Sequence, residues 1–421
     1  LLQKNAPAIY GEVQLKSGPL LLMKNEESVE LSYRTYYGKL FASLIKKFGA
    51  EHVNSIEDAI HNAFYQSLKS WKPGKIPENR ENWLYIVARN DLLNQLKRAK
   101  ADVADFSIAT EDGVFEEDPR LQTILYLAYF REVSPQARTL FMLKNIFGLQ
   151  VKEISECTLL SEEAIYKSIV RAKKSLRKGW DNQQMLAVFD KAGEEELQLI
   201  EEILYAVFNI GFDSFSEKSH SIVNEDLCLE ALALTRLMLK KYNRTSTSNL
   251  IALFCFHVSR IPSKLHEGRL LSFYQQDREK WNTEMVDLAF HHLIKPDQIN
   301  KYYLEALIAS KYMVSFSYNQ RHWEDVIMLY RLLLKLTSSP VVKLNLCYCY
   351  HKANKNQHAL ALLEAIEKEL PREHTYFALV KAHIIKEVDR KTSDELISGV
   401  ITRMSQSIRK EYLLRSMGEV N

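Results

Sequence analysis

The stretch Ser134 to Lys178, SPQARTLFMLKNIFGLQVKEISECTLLSEEAIYKSIVRAKKSLRK, carries the pattern from which the fold is read. Ser134 followed by Pro135 opens a helix: the hydroxyl can cap it, and proline in the first turn gives up an N–H that would have no partner there. That helix runs to Phe147 and stops at Gly148. A short helix around Val151 to Cys157 follows, then a turn at Thr158 to Leu160 and a long helix capped by Ser161. At about 100° per residue, Ile165, Ile169, Ala172 and Leu176 fall on one side of the long helix, and Lys167, Arg171, Lys174 and Lys178 on the opposite side.

Short helix, tight turn, long helix is the geometry that sets a second helix into the major groove of duplex DNA. Phosphates attract Lys and Arg along its whole length, while base edges are reached from its N-terminal end, here Glu162, Glu163, Tyr166 and Lys167. A cationic row alone is most often only a solvated face. The turn beside it is what favours nucleic acid.

Outward from this unit the chain keeps helical periodicity, and the predicted fold class is all-α. Only 13 of its 421 residues are Gly and 10 are Pro, too few for sandwiches, barrels or glycine-rich nucleotide folds. Ser55 to Asp58 has capping-box spacing, and Ile56, Ala59, Ile60, Ala63, Phe64, Leu68 and Trp71 recur at steps of three and four until Pro73 and Gly74. After a loop to Asn79, a helix from about Arg80 to Lys100 is expected to bury Trp83, Ile86, Val87, Leu93 and Leu96, and Ser28 to Phe48 forms another amphipathic helix. Packing in the core is the stronger reading of Trp71 and Trp83.

Charge divides the chain. Lys24 to Lys100 holds 13 Lys and Arg against 9 Asp and Glu, and Arg131 to Lys178 holds 10 against 5, whereas Ala101 to Arg120 has 7 acids and one base. The expected organisation is therefore an N-terminal extension over 1–23, a basic helical domain over 24–100, an acidic extended linker over 101–120, the helix-turn-helix domain over 121–180, a helical region over 181–320 and helical repeats over 321–421. The first methionine is Met23, so residues 1–22 read as an upstream extension. Glu324 to Leu336 and Gln357 to Leu370 resemble one another at a shift of about 33 residues, as do the segments around Cys347 and Val380, which is the period of tetratricopeptide-like helix pairs.

The Ser134 to Lys178 stretch closely resembles region 4 of the sigma-70 family, the module that reads the −35 promoter element. SIEDAIHNAFYQSLKSW (Ser55 to Trp71) and RENWLYIVARNDLLNQLKR (Arg80 to Arg98) look like region 2 of the same family, which grips RNA polymerase and melts the −10 element. The resemblance implies −35 contacts from Ser161, Glu162, Glu163, Tyr166, Lys167, Arg171, Lys174 and Lys178. It implies −10 contacts from Lys75, Glu78, Asn79, Arg80, Lys97, Arg98 and Lys100, and a polymerase surface at Glu57, Asp58, His61, Asn62 and Gln66. Opened DNA requires cations beside a loop that can pocket an unstacked base, which suits the −10 set.

Regions 2 and 4 with nothing folded between them resemble extracytoplasmic-function sigma factors. LYAVFNIGF (Leu204 to Phe212), EDLCLEALALTRLML (Glu225 to Leu239), QDREKW (Gln276 to Trp281) and HWEDVIMLYRLLLKLTSSPVVKLN (His322 to Asn345) look like the long C-terminal extension of one group of them, thought there to act as the regulator. Implied partners are core RNA polymerase, promoter DNA and an intramolecular or protein partner for the extension. Departures from the family pattern are Asn94 for Asp, Ser155 for Ala, Thr158 for the turn Gly and Ile210 for the acid of FNEG. Thr158 demands either an unusual backbone or a different turn.

Other classes fit less well. The five cysteines are scattered without a CxxC pair, which points to a cytoplasmic protein with neither a disulfide framework nor a zinc site. His291 beside His292, His257, His266 and Cys347-x-Cys349 are poorly spaced for one tetrahedral ion, so no metal and no cofactor are expected. No P-loop, GxSxG, HExxH or dinucleotide glycine pattern suggests an enzyme. No apolar run of about 20 residues suggests a membrane span. The alternatives are a stand-alone helix-turn-helix regulator with a tetratricopeptide-like sensor, and a tetratricopeptide-type adaptor.

Overall fold

The structure is a computed structural model that describes residues 25–71, 76–99, 118–158, 160–181, 185, 188, 191–213, 222–370 and 374–418. They form an all-α protein. Helix α1 spans Asn25–Phe48 and passes through Gly49 and a 3₁₀ turn, Ala50–His52, into α2, Val53–Ser70. Helix α3 is Arg80–Ala99. The central helices follow: α4 Arg120–Tyr129, α5 Pro135–Asn145, α6 Val151–Cys157 and α7 Glu162–Gly179.

Two local expectations are corrected. The 3₁₀ turn feeds directly into α2, so the helix begins at Val53 and Ser55 lies inside it rather than at its cap. In α3 the fully buried line is Leu84, Ala88 and Leu92 with Tyr85. Trp83, Val87, Leu93 and Leu96 are half-buried flanks, and Ile86 is exposed, as is Leu68 of α2. Ala59, Ala63 and Ala88 are all fully buried in this packed pair, and such small side chains keep the inward stripe narrow. Trp71 is buried and meets the half-buried Trp83 edge to face, with ring centroids 5.5 Å apart. The expected acidic linker lies outside the described residues as far as 117, but its last residue, Arg120, is the first residue of α4 and is buried.

After α7 come α8 (Glu194–Phe212), α9 (Glu225–Tyr242), α10 (Thr245–Val258), α11 (Thr283–His292) and α12 (Lys301–Val314). A two-residue hairpin, Leu265–His266 with Arg269–Leu270, turns through Glu267 and Gly268 at positive φ. Leu197, Ile200, Leu204, Val207 and Phe208 of α8 are buried as their spacing predicts, and Ile210 packs partly against the same core. The rings of Phe208 and Phe254 stack 4.0 Å apart.

Six consecutive helices, taken two by two as three pairs, end the described residues, each packed on the next: α13 (Gln320–Leu336) and α14 (Pro340–Lys352), α15 (Asn356–Ile366) and α16 (Thr375–Ile385), and α17 (Arg390–Arg403) and α18 (Ser407–Gly418). The third pair escaped the sequence comparison. Small apolar clusters join each pair to the next, and Cys347 and Cys349 fall in different clusters, as residues two apart on a helix should. The array bends back on α8: Asp213, at its end, accepts hydrogen bonds of 2.5 Å from both Tyr376 and Arg409. Burial alone would raise the Asp213 carboxyl, but Arg409, Lys264 and the tyrosine hydroxyl pull it below the usual range.

One apolar cluster runs without a break from Tyr37 to Met313. Two sets of charged groups inside it are matched: Arg120 bonds Asp118 at 2.7 Å and Glu230 of α9 at 3.2 Å, and Glu201 accepts from Arg244, Ser246 and Thr247. Between α8 and α12, Tyr205 donates to Glu305 at 2.7 Å, and burial nevertheless pushes this carboxyl up to about 6. The folded chain thus holds a proton that the unfolded chain has lost, so stability from this site is full below about 4.5 and declines as pH rises through about 6. Glu305→Gln should remove that slope and stabilise the protein above pH 7 by about 2 kcal/mol. Urea midpoints at pH 5 and pH 7.5 measure this, and identical pH slopes in both proteins would reject it.

Candidate nucleic-acid interface

The helix-turn-helix is built by local rules that its sequence states openly. Ser134 caps α5 by accepting from the Ala137 N–H, and Arg138 donates to the carbonyl of Ala128, tying α5 to α4. Gly148 ends the unit at φ +65°, and Leu149 N–H reaches back to the Leu143 carbonyl at 3.1 Å. A residue other than glycine would be strained in that left-handed position. At the start of α6, Glu153 accepts from the Gln150 N–H at 2.8 Å with one oxygen, and its other oxygen pairs with Arg34 of α1 at 3.0 Å.

The turn resolves the question raised by Thr158. Its φ is −124°, in the extended region, so no left-handed residue is needed. The Thr158 hydroxyl donates to the Ile154 carbonyl at 2.8 Å and accepts weakly from the Leu160 N–H. Ser155 donates to the Leu160 carbonyl at 2.8 Å. The two departures from the family pattern therefore act together, with hydroxyls closing a turn that glycine would close by backbone freedom.

Helix α7 starts with Ser161 accepting from the Ala164 N–H. Ile165, Ile169, Ala172 and Leu176 are buried. Lys167, Arg171, Lys174 and Lys178 are all exposed, together with Glu162 and Glu163. Lys167 pairs with Glu163 one turn earlier at 2.5 Å; both side chains are largely in solvent, so this contact is worth a few tenths of a kcal/mol and yields readily to a phosphate. Tyr166 and Val170 stand 57% and 59% exposed beside the cations. Val170 and Arg177 extend the face beyond the residues that spacing selected. An exposed apolar side chain on such a helix suits contact with a thymine methyl.

The region-2-like residues are dispersed over two surfaces. Glu78, Asn79, Lys97 and Arg98 are exposed and Arg80 is half-buried over the Trp71 ring; Lys75 and Lys100 lie outside the described residues. Asn79 is engaged as a helix cap, accepting from the Asn82 N–H at 2.9 Å. On α2, Asp58, His61, Asn62 and Gln66 are exposed, with Asn62 donating to Asp91 and His61 beside the Tyr33 hydroxyl. Glu57 differs: it is largely covered and bonds Lys173 of α7 at 2.5 Å. Burial lowers the His61 pKa, the Lys144 and Lys173 cations lower it further, and Glu57 and Asp58 oppose them. Lys173 was not legible as a functional position, because it sits at the edge of the polar face, where periodicity assigns no partner.

An all-α protein carrying a helix-turn-helix with an outward cationic helix is, by geometry, of the nucleic-acid-binding class. Residues 121–176 match the family described as sigma-70, region 4, a similarity that supports a sigma-factor-like role in DNA binding and transcription. Residues 196–296, covering most of α8 to α11, match a family of unknown function, DUF6596. An uncharacterized protein of Rhizobium meliloti (strain 1021) is 25% identical over 381 residues, covering 86% of this chain and 88% of that one. Among the described residues no helix is long and apolar enough to cross a membrane.

Ser155→Ala should loosen the turn and lower stability by about 1 kcal/mol, the usual net worth of one such hydrogen bond. Denaturant midpoints check the size, and an unchanged midpoint would mean that Thr158 alone holds the turn.

Proposed function

We propose that this protein is a sigma factor of the extracytoplasmic-function type: it joins core RNA polymerase, reads −10 and −35 promoter elements and starts transcription, under regulation by its C-terminal extension. The observation that carries this reading is the exposed row Lys167, Arg171, Lys174 and Lys178 on the second helix of a region 4 module. In this reading α7 enters the major groove with Tyr166 and Val170 toward base edges, and the cations hold phosphates. Glu78, Asn79, Arg80, Lys97 and Arg98 serve the opened −10 strand, with Lys75 and Lys100 from outside the described residues. Asp58, His61, Asn62, Gln66 and Glu57 form the surface for polymerase.

The extension fits a regulatory role through its architecture. Its three helix pairs are read as tetratricopeptide-like; the first packs on α12, and Tyr376 and Arg409 bond Asp213 within the segment matching the family of unknown function. Such arrays form concave surfaces suited to extended or helical protein segments.

Replacing Lys167 and Arg171 together by Ala in the full chain should weaken duplex binding by about 1 to 3 kcal/mol and reduce the slope of log K against log salt by about 2. Fluorescence anisotropy over a salt series, with core polymerase present, measures both. An unchanged affinity and slope would overturn the docking. Failure of the chain to co-purify with core polymerase would instead favour the stand-alone regulator or adaptor readings.

A further inference from the structure

We infer that the described arrangement is a closed state in which region 4 covers part of the polymerase-binding surface of region 2, so that the chain must open before it serves as an initiation factor. The inference rests on the sigma-factor reading above and adds to it a contact between its own two modules. Glu57 belongs to the surface assigned to polymerase, yet its carboxylate is taken by Lys173 of α7, and both side chains are more than four-fifths covered. Its second oxygen, Oε1, is buried without a hydrogen-bond partner. A free surface acid would be solvated. This one is enclosed by the other module.

The enclosure is built along α1 from Arg34 to Lys46. Arg34 pairs with Glu153 of α6 at 3.0 Å, Lys46 donates to Gln122 of α4 at 2.7 Å, and the rings of Phe41 and Phe141 meet edge to face at 6.0 Å. Gly38 lies against the end of α5 so closely that a methyl group there would run into the Ile146 carbonyl, 2.7 Å from its carbon. The 3₁₀ turn before α2 packs on α7. Two modules joined in this way cannot also stand at promoter elements whose names place them about 25 base pairs apart, roughly 80 Å along B-form DNA. Opening leaves the outer row of α7 unchanged, because Lys167, Arg171, Lys174 and Lys178 take no part in the contact.

The closed state lowers apparent affinity for polymerase by the fraction of chains that are open. Gly38 supplies the test, because it touches neither the cationic row nor the polymerase residues. Gly38→Ala in the full chain places a methyl where only the Ile146 carbonyl fits, and alanine itself favours helix α1. The expected result is a larger radius of gyration by small-angle X-ray scattering and a gain of about fivefold or more in affinity for core polymerase. The double variant Arg34→Glu, Lys173→Glu, which sets like charges against Glu153 and Glu57, should move both readings the same way. It keeps the test decisive should Gly38→Ala fold poorly. Expansion without a gain in affinity, or equal affinity and equal radius in all three proteins, would overturn the closed-state proposal while leaving the sigma-factor reading in place. Absence of polymerase binding by the wild type and by both opened variants would overturn the sigma-factor reading itself, and the proposal with it.

Discussion

The structure depends on the burial of α4. Of its ten residues, Arg120, Leu121 and the run Thr123 to Ala128 are all buried, a continuous stretch that no one-faced amphipathic helix produces. It is covered from every side: by α1, by α5 of the helix-turn-helix, and by α8 and α9 of the extension. Each large apolar side chain enclosed there contributes roughly 1.5 to 3 kcal/mol. The helix is therefore a joint on which α1, the helix-turn-helix and the helices α8 and α9 all pack. Arg120 shows the constraint most sharply: a guanidinium that deep is tolerable only because Asp118 and Glu230 both reach it, and Glu230 belongs to the extension.

That joint changes what the extension is. A chain ending after α7 would lose α8 and α9 from the flank of α4, uncovering its apolar surface and leaving Arg120 with only Asp118. Arg131 would lose Glu195 and Glu196 in the same step. The C-terminal helices are part of the fold of the helix-turn-helix half, and a short run of contacts links Asp213 and Arg409 through α8 to α4.

Much of this was legible in the sequence, and the boundary of legibility has physical causes. The caps at Ser134 and Ser161, the stop at Gly148 and the buried stripe of α7 follow from rules that act within a turn or two of helix. The start of α2 and the inward face of α3 were misplaced because preceding 3₁₀ geometry and small buried alanines shift a stripe that periodicity alone centres elsewhere. The third helix pair was missed because no stretch of it matches at the 33-residue shift, although it packs on the pair before it through the cluster around Ala378, Ala382 and Val400. Contacts such as Lys173 with Glu57, 116 residues apart, leave no local signal at all.

Helix α7 shows how one element can answer several demands without conflict. Its narrow stripe of Ile165, Ile169, Ala172 and Leu176 anchors it, and since those four residues occupy about a third of the circumference, two independent polar edges remain. One edge carries the exposed cations. The other carries Lys173, held in a largely dehydrated pair where a charge is costly to move unless its partner leaves with it. An exposed pair such as Lys167 with Glu163 exchanges freely with solvent or phosphate; the covered pair does not, and it changes partners only when the surfaces around it separate. The division between the two edges thus separates a contact made directly on a surface from one that first requires rearrangement, within a single run of eighteen residues.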